Sequence, residues 1–105
     1  MDTSHDPILN EIVSRIVAAV KPDRIILFGS RARGEHGSNS DYDLLVIKDD
    51  AEHRRRLAQR LYLELYGIPA GVDVIVETTE HLERVKNLPG TFYADALKEG
   101  IVVHG

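Results

Sequence analysis

The chain has 105 residues, 43% hydrophobic and 29% charged, which suits a single folded domain over residues 1–105 and excludes the composition of a disordered chain. Seventeen acidic against thirteen basic residues leave a net charge of −4, so direct nucleic-acid binding is not expected. There is no cysteine, which excludes disulfides and thiolate metal sites, and no apolar run nears the roughly 20 residues needed to cross a bilayer. The opening "MDTSHDPILN" lacks the basic and apolar regions of a signal peptide, and a cytoplasmic location is expected.

Asp6 followed by Pro7 marks the start of a helix, because a carboxylate can cap free N–H groups and proline has none to lose at the first helical position. Leu9, Ile12, Val13, Ile16 and Val20 recur at helical spacing until "KPD" (Lys21 to Asp23) ends the pattern. "RIILF" (Arg24 to Phe28) and "DLLVI" (Asp43 to Ile47) are short β-branched runs that predict buried strands. In "AEHRRRLAQRLYLELY", Leu57, Ala58, Leu61 and Leu65 share one face and Arg56, Gln59 and Arg60 the other, predicting a second amphipathic helix. "VDVIV" (Val72 to Val76) predicts a third strand, and Thr78 or Thr79 a cap for a short helix to about Lys86, broken by "LPG". "TFYADALKE" (Thr91 to Glu99) predicts a last helix, with Gly100 where a left-handed cap is commonly needed and "IVV" as a final strand.

Alternating strands and helices define an α/β (α+β) layer architecture, a small β-sheet flanked by helices. The stretch "GSRARGEHGSNSDYDLLVI" (Gly29 to Ile47) contributes little to a core, and its residue types point to chemistry instead. Asp41 and Asp43 are two apart at the start of a strand and share a face, and Asp73 can join them from a neighbouring strand. For Gly29 and Ser30, at the end of strand one, to share that site, strands one and two must run antiparallel. The helix between strands two and three suits a parallel crossover, so the sheet is expected to be mixed.

Like charges at about 4 Å and an effective dielectric near 20 repel by roughly 4 kcal/mol per pair, so three carboxylates need a proton or a cation. Hard oxygen donors without histidine or cysteine favour Mg²⁺, or Mn²⁺, over zinc. Glycine lets the backbone approach phosphates, the Ser30 hydroxyl and nearby N–H groups can donate to them, and Arg31 and Arg33 can add positive charge. A Walker A loop is excluded because Glu35 and His36 stand where lysine and serine or threonine are required. An EF-hand is excluded because "DYDLLVIKDDAE" lacks the glycine of its turn.

"GSRARG…SDYDLLV", followed by "GVDVIV" and the closing "TFYADALKEGIVVHG", resembles the DNA polymerase β-like nucleotidyltransferase superfamily, in its minimal nucleotidyltransferase branch. The resemblance implies the nucleotidyltransferase fold and a Mg²⁺-dependent transfer of AMP from ATP to a hydroxyl. Gly29 and Ser30 would hold the triphosphate, with Arg31 and Arg33 beside it. Asp41, Asp43 and Asp73 would be the catalytic carboxylates and would hold two magnesium ions. Members of the branch are commonly antitoxins paired with a HEPN-domain ribonuclease toxin, and the resemblance implies AMP transfer to a toxin tyrosine, the activity of a type VII antitoxin. The alternatives are an antitoxin that neutralises by binding alone, and a transferase acting on a small molecule or RNA with a partner subunit.

Arg54, Arg55, Arg56 and Arg60 could meet a triphosphate or a partner, but an arginine run on an amphipathic helix is ordinarily a solvated face. The five histidines show no ligand pair, and His36 in the glycine-rich turn is expected to be exposed. Tyr42, between two aspartates, should face away from them into packing. Tyr62, Tyr66, Phe92 and Tyr93 look like core residues or anchors for a second copy or a toxin.

Overall fold

The computed structural model describes residues 6–35, 37, 41–88 and 92–105. Nine elements follow one another along the chain: α1 (Pro7–Val20), β1 (Arg24–Phe28), α2 (Ser30–Arg33), β2 (Tyr42–Ile47), α3 (Arg54–Glu64), β3 (Val72–Glu77), α4 (Thr79–Val85), α5 (Phe92–Glu99) and β4 (Ile101–His104). The strands form one sheet in the order β3-β2-β1-β4, with β1 antiparallel to β2 and β4, and β2 parallel to β3. This is the mixed sheet that the placement of the aspartates requires, and α3 supplies the parallel crossover.

Both sheet faces are covered. Leu44, Val46, Val74 and Val76 pack with Leu9, Ile12 and Ile16 of α1 and Leu61 of α3. On the opposite face, Ile26, Leu45 and Ile47 pack with Leu82 of α4, with Ile75, Tyr93 and Leu97 around them. Strand alternation makes this possible, since neighbouring residues of a fully covered strand serve different layers and the run reads as continuously apolar. Among the described residues no helix is long and apolar enough to cross a membrane.

The helix ends follow the expected chemistry in most places. Asp6 Oδ1 accepts from the Leu9 N–H at 3.0 Å, and Thr78 Oγ1 caps α4 by accepting from the His81 N–H at 3.1 Å. Lys21 ends α1 in the left-handed region with φ 49°, just before Pro22. The "LPG" break lies largely outside the described residues, as does His36.

Two expectations change. Gly100 is not in the left-handed region; a Cβ there would overlap the Ala96 carbonyl and the Ile26 side chain, so the glycine serves the close approach of α5 to β1. The Gly-Ser-Arg segment is not an open turn but the one-turn helix α2, closed at Gly34 with φ 76°.

Candidate active site

β1 ends with Phe28 opposite Asp43 of β2, so the next residue, Gly29, stands beside the Asp43 carboxylate. Gly29 has φ 77° and ψ −159°, a combination that side-chain-bearing residues avoid, and a Cβ on it would overlap Asp43 Oδ2. The chain then turns at once into α2, whose first carbonyl acceptor is Gly29 O, bonded by the N–H groups of Ala32 and Arg33 at 3.1 and 3.2 Å. Ser30 therefore opens a helical turn right next to a carboxylate.

Asp43 and Asp73 are register partners in the parallel β2–β3 ladder. Side chains in register on adjacent parallel strands share a face, and this pair lies on the face that carries Leu45, Ile47 and Ile75. Just ahead of β2, the Tyr42 N–H donates to Gly71 O at 2.9 Å, which brings Gly71 against Asp41. A Cβ on Gly71 would overlap Asp41 Oδ1. Two glycines thus clear the space that two of the carboxylates occupy. Gly71 escaped the sequence reading, although a glycine directly before "VDVIV" is the signal for such a close approach.

Burial pushes the Asp43 carboxyl above its usual 3.8, and repulsion from Asp73 and Asp41 and a hydrogen bond with Asp73 push the same way; only Arg33 opposes them. Like charges this near one another repel, so the cluster needs added positive charge. The donor set is hard oxygen throughout, and a divalent cation would supply that charge more effectively than one proton, so the residues fit such an ion. As the side chains stand, no three histidine, aspartate or glutamate groups among the described residues are close enough to hold a metal ion together. Asp43 is the carboxylate whose ionisation both others oppose.

The two arginines part ways. Arg33 is exposed, pairs with Glu35 at 2.8 Å and Glu99 at 3.1 Å, and acts electrostatically on Asp43. Arg31 is buried: its guanidinium lies 3.8 Å from the centroid of the Tyr42 ring and 3.9 Å from Asp6 Oδ2. Tyr42 and Asp43 point to opposite faces of β2, so Arg31 packs on the face opposite Asp43. Tyr42 is buried as expected and donates from its hydroxyl to Asp6 Oδ2 at 2.7 Å, which locks the start of β2 to the start of α1.

The order of these residues along the chain, the strand directions and the carboxylates near one sheet end make an arrangement suited to phosphoryl transfer. The chain belongs to the nucleotidyltransferase domain family, whose model matches residues 8–103, and it is a nucleotidyl-transferring enzyme. It is 34% identical over 97 residues to a Methanocaldococcus jannaschii protein named "putative protein adenylyltransferase", covering 91% of this chain and 90% of that one. Its fold matches the crystal structure of a nucleotidyltransferase from Sulfolobus solfataricus, described there as putative, with TM-score 0.59 at 24% identity, over 90% of this chain and 75% of that one. A crystal structure of a toxin-antitoxin with AMP-PNP matches with TM-score 0.57 at 25% identity, over 90% of this chain and 72% of that one.

Proposed function

We propose that this chain transfers AMP from ATP to a tyrosine hydroxyl of a HEPN-domain ribonuclease toxin and so acts as its antitoxin. The observation that carries the chemistry is the Asp43–Asp73 pair, in register on neighbouring strands, with Gly29 pressed against the first and Asp41 alongside. AMP transfer to a protein is supported by the 34% identical relative named for that activity, and a toxin partner by the likeness to the toxin-antitoxin structure with AMP-PNP.

In this reading the triphosphate lies on Gly29 and Ser30, where the backbone is bare and the Ser30 hydroxyl can donate to a phosphate oxygen. Asp41, Asp43 and Asp73 would hold two Mg²⁺ ions, and Arg33 adds positive charge at the rim. Divalent ions bound there would supply charge stabilisation to the attacking and leaving oxygens. The acceptor oxygen attacks the α-phosphorus in line, a new P–O bond forms, the bond to the β-phosphate breaks and pyrophosphate leaves; the hydroxyl proton passes to the carboxylate cluster. No covalent intermediate on the protein is required.

The test is to mix the purified chain with its HEPN partner, Mg²⁺ and labelled ATP and to locate added AMP on the partner by mass spectrometry. One AMP on a toxin tyrosine is expected, abolished by Asp41→Asn with Asp43→Asn. Toxin neutralisation that survives the double change without transfer would assign the chain to binding alone.

A further inference from the structure

β3 is one of the two outer strands of the sheet, and its far end borders a groove of about 820 Å³ that takes no part in the carboxylate site. In a parallel ladder each residue turns its N–H and C=O to the same side, alternately inward and outward. Gly71 O and Glu77 O accept from the N–H groups of Tyr42 and Lys48, so odd-numbered residues face β2 and Val72, Val74 and Val76 face out. The outward Val74 N–H donates to the Tyr62 hydroxyl of α3 at 3.0 Å. The Val74 carbonyl and both backbone groups of Val76 have no hydrogen-bond partner among the described residues. An edge of this kind is a template for strand addition, and Tyr62 bounds it at one end.

The rim carries a charge that the chain as a whole does not. Arg55 and Arg56 stand in the first turn of α3, exposed and without ion pair or hydrogen bond among the described residues. That turn holds no acidic residue and His53 provides no side-chain cap, so the arginines repel the positive end of the helix dipole. Arg60 follows one turn later, also exposed. Glu52 and the already paired Glu77 are the carboxylates lining the groove.

The groove wall is cross-linked by polar contacts. Buried Glu77 accepts from Arg54 and from the Tyr93 hydroxyl and lies 2.6 Å from His81 Nδ1, which ties α3, α4 and α5 to the end of β3. Arg54 is therefore already paired, and the arginines of the groove that remain to meet a ligand are Arg55 and Arg56.

We infer that the outer edge of β3 receives an extended acidic segment of a partner protein as a fifth strand, its backbone on Val74 and Val76 and its carboxylates on Arg55 and Arg56. A second copy pairing edge to edge would bring two sets of these arginines together, and charge opposes it. A nucleic acid would satisfy the arginines and leave the three backbone groups unpaired. The inference does not depend on the acceptor proposed above.

The probe is a fluorescent peptide of about eight residues alternating glutamate and valine, the length of an ordinary strand, titrated into the full chain by anisotropy. Saturable binding with slowed amide exchange at Val76 is expected, weakened about tenfold by Arg55→Glu with Arg56→Glu and unchanged by Asp41→Asn with Asp43→Asn. Both arginines are exposed, and circular dichroism checks that the variant folds. Equal binding of polyglutamate, no saturable binding at all, tighter binding of an oligouridylate lost in the same double variant, or a peptide-free dimer that already protects Val76 would each overturn the inference.

Discussion

Asp43 has two other carboxylates acting on it. Ionising it is harder in the folded chain than in the unfolded one, because burial and then Asp73 and Asp41 raise it above 3.8. A raised acid contributes its stability in full below the unfolded value and loses it as pH rises through the folded one. Asp43→Asn should therefore make the metal-free protein more stable at neutral pH, by up to about 1 kcal/mol after solvent screening, with the difference closing as pH falls towards 4. Urea unfolding of both forms between pH 4 and 7 checks the sign, and the same variant should lose AMP transfer by at least about a thousandfold. The two glycines beside the carboxylates separate by their backbones. Gly29→Ala meets both a forbidden conformation and the Asp43 carboxylate and should cost about 2 kcal/mol or more. Gly71 has no positive φ, and Asp41 beside it is exposed, so Gly71→Ala should displace Asp41 and lower transfer while changing stability by less than about 1 kcal/mol. Thermal melts and single-turnover rates on the two variants make the comparison.

β3 carries two different carboxylates on one face. Asp73 is exposed at its beginning, and Glu77 is buried at its end and anchored by donors from three helices. Burial alone would raise Glu77, but hydrogen bonds from Tyr93 and His81 and the charge of Arg54 outweigh it and hold the group below 4.5. A depressed acid contributes in full above the unfolded value and loses that contribution as pH falls through the folded one. Glu77→Gln keeps the shape and removes the charge, so it should cost about 1–3 kcal/mol at pH 7 and progressively less in acid below 4.5, read from chemical denaturation at both pH values. The arginine-rich start of α3 was legible as an amphipathic helix, but its periodicity could not show that Arg54 leaves the solvated face for Glu77, because that pairing joins residues 23 apart in the chain. The tyrosines divide for the same reason. Tyr66 is 87% exposed and cannot be a core residue, Tyr62 uses its hydroxyl on the β3 edge, and Tyr93 is partly buried on Glu77; the Phe92 side chain is outside the described residues.

In the whole molecule, two helical layers bury a mixed sheet and leave one end of it free for the carboxylate cluster and the α2 turn. Because like charges gathered there oppose folding, any cation that binds the folded cluster alone stabilises the chain by mass action. Millimolar Mg²⁺ with a non-hydrolysable ATP analogue should raise the melting temperature by several degrees, and Asp41→Asn with Asp43→Asn should abolish the rise; scanning calorimetry reads both. Every described element except α2, the relative directions of β1, β2 and β3, and the aspartates proposed for the site were accessible from the chain alone, since hydrophobic periodicity and a D-x-D on one strand face are local patterns with a 2.0 or 3.6 residue period. Local patterns do not carry partners across space. That Arg31 stacks on the Tyr42 ring, that Gly100 serves a close approach rather than a left-handed turn, and that Asp43 lines up with Asp73 were decided only by the tertiary structure, because each depends on atoms contributed by distant segments.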